Sequence, residues 1–251
     1  MIDLHSHLLP GIDDGAQIIE EALALARIAV DNGITRSVVT PHIHPGRYDN
    51  DIESIRTAFD LLRDGLAREQ IPLEIAMAAE VRISAEILPM IATGKIPFLG
   101  QDGGSKVMLL EFPHSHILPG TENMIRFLLR KNIRPMIAHP ERNKDVIREL
   151  GKIAPFVEMG CLLQITAGSV AGDFGPQAEH RALEMLERGW VDVLASDAHN
   201  IQYRPPNLEP GRAAAARVVG EAESWRLVQE RPGALSDHLF SYLIKDRPGP
   251  E

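Results

Sequence analysis

Short apolar runs rich in β-branched residues alternate along the chain with longer stretches in which apolar positions recur every three or four residues. The first pattern marks buried or half-buried strands and the second marks amphipathic helices. Seven strands are expected, at residues 1–5, 37–42, 74–80, 106–112, 134–139, 161–167 and 191–196. Helices are expected at 18–32, 52–69, 122–131, 144–156 and 177–188. In the first of these Ile18, Ala22, Leu25, Ala26 and Ala29 share a face, and Gly33 supplies the stop. Seven βα units without a break in composition predict a parallel α/β barrel, with a doubly wound sheet as the alternative. Beyond about Leu208 only a helical tail is expected, fraying from about residue 246.

Composition narrows the picture. The 251 residues suit one undivided domain, 1–251, because α/β barrels reach this length whole. With 26 basic and 35 acidic side chains the net charge is −9, which argues against a nucleic-acid surface. Any anionic substrate must then be drawn in by local positive charge, from metals or a few arginines. Cys161 is the only cysteine, so neither an internal disulfide nor a thiolate zinc site is possible. The first residues do not read as a secretory signal and no run is long enough to insert in a membrane, so the expected location is the cytoplasm.

The candidate chemistry stands at the carboxyl ends of the strands, where parallel barrels carry their reactive groups. Strand one ends in His5-Ser-His7, the next four in His42, Glu80, Glu111 and His139, and the last in Asp197-Ala-His199. Residues two apart on an extended chain face the same side, so each close pair can converge. Imidazoles and carboxylates together suit zinc, manganese or iron, and Glu80 and Glu111 would let two cations share a ligand. Asp14, in the Pro10-Gly-Ile-Asp-Asp-Gly15 turn, adds a ligand from the first loop; the competing role for Asp14, and for Asp13, is to cap the helix that follows. His44, His114 and His116 lie in loops on the same face, and His180 and His238 read as surface residues of helices.

These stretches resemble the PHP (polymerase and histidinol phosphatase) superfamily, and more closely the bacterial tyrosine-protein phosphatases of the CpsB/YwqE type. The resemblance runs from Met1 to about Arg204 and includes Thr40-Pro-His42, Glu80-Val-Arg82, Leu110-Glu-Phe112, Ala138-His-Pro-Glu-Arg-Asn143 and Ser196-Asp-Ala-His-Asn200. It implies a distorted (β/α)7 barrel with three divalent ions, usually manganese, for which iron, zinc or magnesium substitutes. It places His5, His7, Glu80 and Asp197 on one ion, Glu80, Glu111 and His139 on a second, and Asp14, His42 and His199 on a third. Arg142 and Arg204 would then grip the phosphoryl group; the competing role for Arg142 is a surface pair with Glu141 or Asp145. The implied reaction is phosphotyrosine hydrolysis by a hydroxide bridging two ions, made available near pH 7 because metal binding lowers the pKa of water to about 7. The implied substrate is a bacterial tyrosine autokinase that controls capsule or exopolysaccharide synthesis.

Other readings compete. A histidinol-phosphate phosphatase would share the metals and differ in the pocket. An amidohydrolase would carry a histidine on strand six, which is missing here, and a non-catalytic metal-binding module would not need Arg142. A cysteine-dependent phosphatase is excluded, because Ala167 stands where the arginine of a C-x5-R loop belongs. Cys161 is expected to be a small apolar core residue.

Overall fold

The computed structural model describes residues 1–240; the segment expected to fray lies outside them. Among the described residues ten strands form: β1 (Ile2–Ser6), β2 (Arg36–Val39), β3 (His42–Ile43), β4 (Glu74–Met77), β5 (Glu80–Arg82), β6 (Gly100–Asp102), β7 (Ser105–Glu111), β8 (Ile133–Ala138), β9 (Leu162–Thr166) and β10 (Val193–Ala195). They pair in the orders β1-β2-β4 and β10-β9-β8-β7-β5-β3, all parallel except β6, which pairs antiparallel with β7.

Two expected strands are each divided. The run 37–42 breaks at Pro41, which has no N–H to give the ladder, and its neighbour 74–80 breaks beside it at Ala78-Ala79. The two remain tied, Ala78 N donating to Val39 O (2.9 Å) and Glu80 N to Pro41 O (3.1 Å). Counting β2/β3 and β4/β5 as one stave each, the barrel has seven staves, in agreement with the seven expected strands.

The ring closes between β1 and β10 without a regular ladder. Asp197 N donates to His5 O and His7 N to Ala198 O, both at 2.8 Å. Below them the buried Asp3 carboxylate accepts from Ser196 N at 3.0 Å and from Ser196 Oγ at 2.5 Å.

The barrel interior divides by depth. Ile2, Leu4, Val38, Ala76, Val107, Leu109, Met136, Leu162 and Val193 form one buried apolar cluster, which Leu235 and Phe240 of the helix Arg231–Phe240 join. That helix lies against the amino ends of β1, β2 and β4, where Asp237 pairs with Arg36. A second, larger cluster fills the layer between the staves and the outer helices, including Leu25, Leu62, Leu110, Leu128 and Phe156. The buried histidines of the interior gather in its carboxyl-end layer, and lower down the buried polar side chains include Asp3 and Ser37.

Several expectations need correction. Ile18 precedes the helix Ile19–Asp31 and is 53% exposed, whereas Ala22, Leu25, Ala26 and Ala29 are buried as expected. The expected helix 144–156 is three short pieces, Lys144–Arg148, Leu150–Lys152 and Ala154–Glu158. The first break falls at Glu149, whose backbone is extended, and the second just before Pro155, which has no N–H to continue a helix through it. The strand β6 was not expected. It turns into β7 through Gly103 and Gly104, both at positive φ, as a two-residue hairpin requires. No helix among the described residues is long and apolar enough to cross a membrane.

Candidate metal centre

All nine expected ligands meet at the carboxyl end of the barrel, and small departures from regular strand geometry put them there. In β1 the register against β2 slips by one residue between Asp3 and Ser6. This bulge lets Ile2 and Leu4 pack in the apolar interior while His5 and His7 still turn into the barrel above them, a use for which bulges are known beside active sites. His139 and Asp197 sit at φ +35° and +52°, in the left-handed region that costs a non-glycine residue about 1–3 kcal/mol. The Asp13-Asp14-Gly15 turn folds back against β1. A Cβ at Gly15 would lie 2.0 Å from the His7 carbonyl oxygen, so only glycine fits.

At the centre, four donor atoms surround one point. His5 Nε2 lies 3.2 Å from His7 Nε2, 3.3 Å from Glu80 Oε2 and 3.3 Å from Asp197 Oδ1. His7 Nε2 lies 3.4 and 3.5 Å from those two oxygens. Four donors about 2.1 Å from a shared cation stand about 3.4 Å apart in a tetrahedron. Glu80 Oε2 and Asp197 Oδ1 are buried and have no hydrogen-bond donor, although charged oxygens out of water need one. The same holds for His42 Nδ1, which is 2.9 Å from Glu80 Oε2 but not aligned to donate to it. These are the marks of lone pairs aimed at cations, and the residues fit the metal that the sequence implied.

Three further groups of donors surround this point. His42 lies with Glu80 and Glu111, His139 with His5 and Asp197, and Asp14 with His7, His42 and His199. His139 Nε2 is also 2.7 Å from Glu80 Oε1, so His42 and His139 each border two groups. The side chains behind the ligands fix which nitrogen faces inward. Gln164 Oε1 accepts from His5 Nδ1 at 2.8 Å, Asp13 Oδ2 from His7 Nδ1 at 2.7 Å, and Asp197 O from His199 Nδ1 at 3.0 Å. Each bond leaves Nε2 with its lone pair toward the centre.

Electrostatics agree with this. Burial, and then the Arg142 guanidinium, hold His139 down at about 3, so its ring is neutral and able to bind a cation. Burial works against a charged His42, but the Glu80 and Asp14 carboxylates together outweigh it and raise the ring to about 10; positive charge is favoured there. Burial, and then Glu80, push the Glu111 carboxyl up.

A cavity of about 180 Å³ opens above these groups, lined by Asp14, His42, Glu80, Glu111, His139, Asp197 and His199 among others. Four arginines reach it: Arg47, Arg82, Arg142 and Arg204. They supply the local positive charge that a chain of charge −9 needs. Arg142 and Arg204 each donate to Asp197 Oδ2 at 2.5 Å, and the Nε–H of both is buried without a partner. Arg142 therefore does not pair with Glu141, whose buried carboxylate takes Thr166 N and Ser169 Oγ instead. Phe174 lies under both guanidiniums, at 4.8 and 5.8 Å. His44 and His114 line the cavity, whereas exposed His116 contacts Ser115 and exposed His180 contacts Glu184. Reasoning from sequence missed Arg47, Gln164 and Phe174, and gave Asp13 only as a cap. Cys161 is buried at the amino side of β9, and burial pushes its thiol up to about 12. It is remote in kind from a nucleophile.

A seven-stave barrel with carboxyl-end histidines and carboxylates around shared points defines a metal-dependent hydrolase. Residues 1–236 match the family described as Capsular polysaccharide synthesis, CpsB/CapC, and the chain belongs to that family. It is 38% identical over 204 residues to the tyrosine-protein phosphatase YwqE of Bacillus subtilis, covering 81% of this chain and 79% of that one. It is 30% identical over 241 residues to the tyrosine-protein phosphatase CpsB of Streptococcus pneumoniae, covering 92% and 96%. A crystal structure from work on those two proteins, described as unique metal-dependent tyrosine phosphatases, superposes with a TM-score of 0.82 at 33% identity, covering 99% of this chain and 96% of that one. A β-aspartyl dipeptidase of Fervidobacterium islandicum shares the fold alone, with a TM-score of 0.53 at 13% identity over 93% of this chain and 72% of that one.

Proposed function

We propose that this chain is a metal-dependent protein-tyrosine phosphatase that uses three divalent cations, manganese in the first place. The observation that carries the reading is the pairing of the ligand cluster with Arg142 and Arg204, which line the same cavity and share Asp197 Oδ2. When bound, the cations supply an activated water and neutralise part of the phosphoryl charge. His5, His7, Glu80 and Asp197 would hold one, with Glu111 and His139 beside Glu80, and Asp14, His42 and His199 completing the set.

The chain's own groups do the rest. Asp197 orients both guanidiniums from one side and Phe174 from the other, so the free N–H edges are held in place before a phosphoryl group arrives. Planar guanidiniums suit two oxygens at once and stabilise the charge that develops on them. A phenolate leaves readily, since tyrosine has a pKa near 10, and strong general-acid help is not required. The sixth stave ends at Thr166 without a histidine, which speaks against the amidohydrolase alternative. The family's role in capsular polysaccharide synthesis supports a tyrosine autokinase of that process as the physiological substrate, in the cytoplasm. Phosphate release from a phosphotyrosine peptide, with manganese and with chelator, tests the activity, and histidinol phosphate run in parallel tests the specificity. Manganese-dependent turnover of histidinol phosphate alone would overturn the assignment.

A further inference from the structure

Beside the metal cavity lies a second one of about 420 Å³, and the two share His114 and Arg142 in their walls. One wall is the turn after β7 and the helix Lys144–Arg148, fastened together by Lys144 N to His114 O (2.9 Å) and Asn143 Nδ2 to Pro113 O (2.7 Å). Phe174 and Gln177 form the facing wall. Arg142, Lys144 and Arg148 all line this groove, and no carboxylate does. Lys144 is exposed and makes no ion pair among the described residues. Arg148 reaches only Asp145, at 3.2 Å, and its side chain is 71% exposed, so most of its charge faces solvent. In a chain of net charge −9 this is a local reversal of sign.

A phosphotyrosine whose ring enters the metal cavity must carry its main chain out over the rim, and Arg142 and His114 form the rim on the side of the groove. We propose that the groove receives the peptide flanking the scissile phosphotyrosine and selects anionic side chains in it, through Lys144 and Arg148. The anion is a carboxylate or a second phosphorylated residue. Phe174 lines the groove, with Arg142 and Arg204 on its ring, so the flanking peptide would pass beside it. This inference rests on the phosphatase reading above. Complementary charge outside the reacting centre acts on binding, so it belongs in KM more than in kcat.

The test compares kcat/KM of the manganese-loaded protein on three peptides of equal length with one scissile phosphotyrosine. One has a neutral flank, one has glutamates, and one has a second phosphotyrosine beside the first. Exposed ion pairs of this kind predict a preference for the anionic peptides of roughly three- to tenfold, carried by KM and shrinking as salt screens it. The double variant Lys144→Glu/Arg148→Glu should cancel or invert the ratio. Either order of the two anionic peptides supports the groove and tells which anion it takes. Equal values for all three peptides with the wild-type protein would overturn it without recourse to a variant, as would a preference that survives charge reversal. Failure to hydrolyse even the neutral peptide is a different result: it removes the phosphatase reading, and the groove's role with it.

Discussion

Asp197 has two carboxylate oxygens with separate duties. Oδ1 faces His5 and His7, while Oδ2 takes both Arg142 and Arg204. Arg142→Ala should therefore lower turnover by roughly two to three orders of magnitude, comparable to the loss of one preorganised donor. Metal content should stay at the wild-type level, because Oδ1 is untouched and Arg204 still holds Oδ2. Lysine in its place should restore only part of the rate, since a point charge lacks the planar fork; unchanged turnover in the alanine variant would dismiss the role. Asp13 acts at one remove. Its Oδ2 accepts from His7 Nδ1 and from His42 N, so one carboxylate sets two ligand histidines. Asp13→Asn should weaken metal binding by roughly 10–100-fold, read by chelator competition with the circular dichroism spectrum unchanged, and wild-type affinity would reduce Asp13 to a turn residue. The cluster of nine histidines and carboxylates was legible in the sequence, because such residues at strand ends have few other reasons to be there. Asp13 was not, since a short acid in a turn has the same local signature whether it caps a helix or supports a metal ligand. Phe174 and Gln164 acquire meaning only from what the fold brings beside them.

At the scale of elements, the hairpin strand β6 connects parts that are far apart in the chain. Asp102 on β6 pairs with Arg134 of β8 and with Arg231 at the start of the helix Arg231–Phe240. Replacing it with asparagine should cost about 1–3 kcal/mol, the range for hydrogen bonds to a charged partner, seen as a lower midpoint in urea. The two arginines, Arg231 first, hold this carboxyl below its ordinary value in the folded protein. The contribution is therefore complete above about pH 4, near the unfolded carboxyl's own pKa. It fades as pH falls through the lowered folded value, so the gap between wild type and variant should narrow in acid. A gap independent of pH would mean that the charge is not what matters. The Asp102-Gly-Gly-Ser105 turn was readable in principle, since Gly-Gly between two short runs favours a tight hairpin. It was overlooked because the run before it, Pro97-Phe-Leu-Gly100, is too short to show alternation. The breaks at Pro41 and before Pro155 follow from residue types on the page, whereas the break at Ala78-Ala79 follows from its neighbour and leaves no local trace.

For the whole molecule, periodicity gave the number of staves but not the joint at which the ring closes, because neighbours in a sheet are chosen by pairing rather than by composition. That joint lies between β1 and β10, where Asp3 and Ser196 and two backbone bonds replace a ladder. His5 and His7 stand on one lip of it, Asp197 and His199 on the other. Cations shared between the lips would tie together residues roughly 190 positions apart, and so offset a long loop's closure entropy much as a crosslink does. Anything that binds the folded ring and not the open chain also raises its stability by mass action. Chelation should thus lower the melting temperature, and amide hydrogen exchange should quicken first at His7 and Asp197 while the β7–β8 amides remain protected. Uniform quickening around the ring would show that the joint has no special weakness. The barrel is in this sense a hoop with a clasp: with cations bound across the joint, their off-rate would set how long the hoop stays shut, and the first step of its unfolding would be a ligand-exchange reaction.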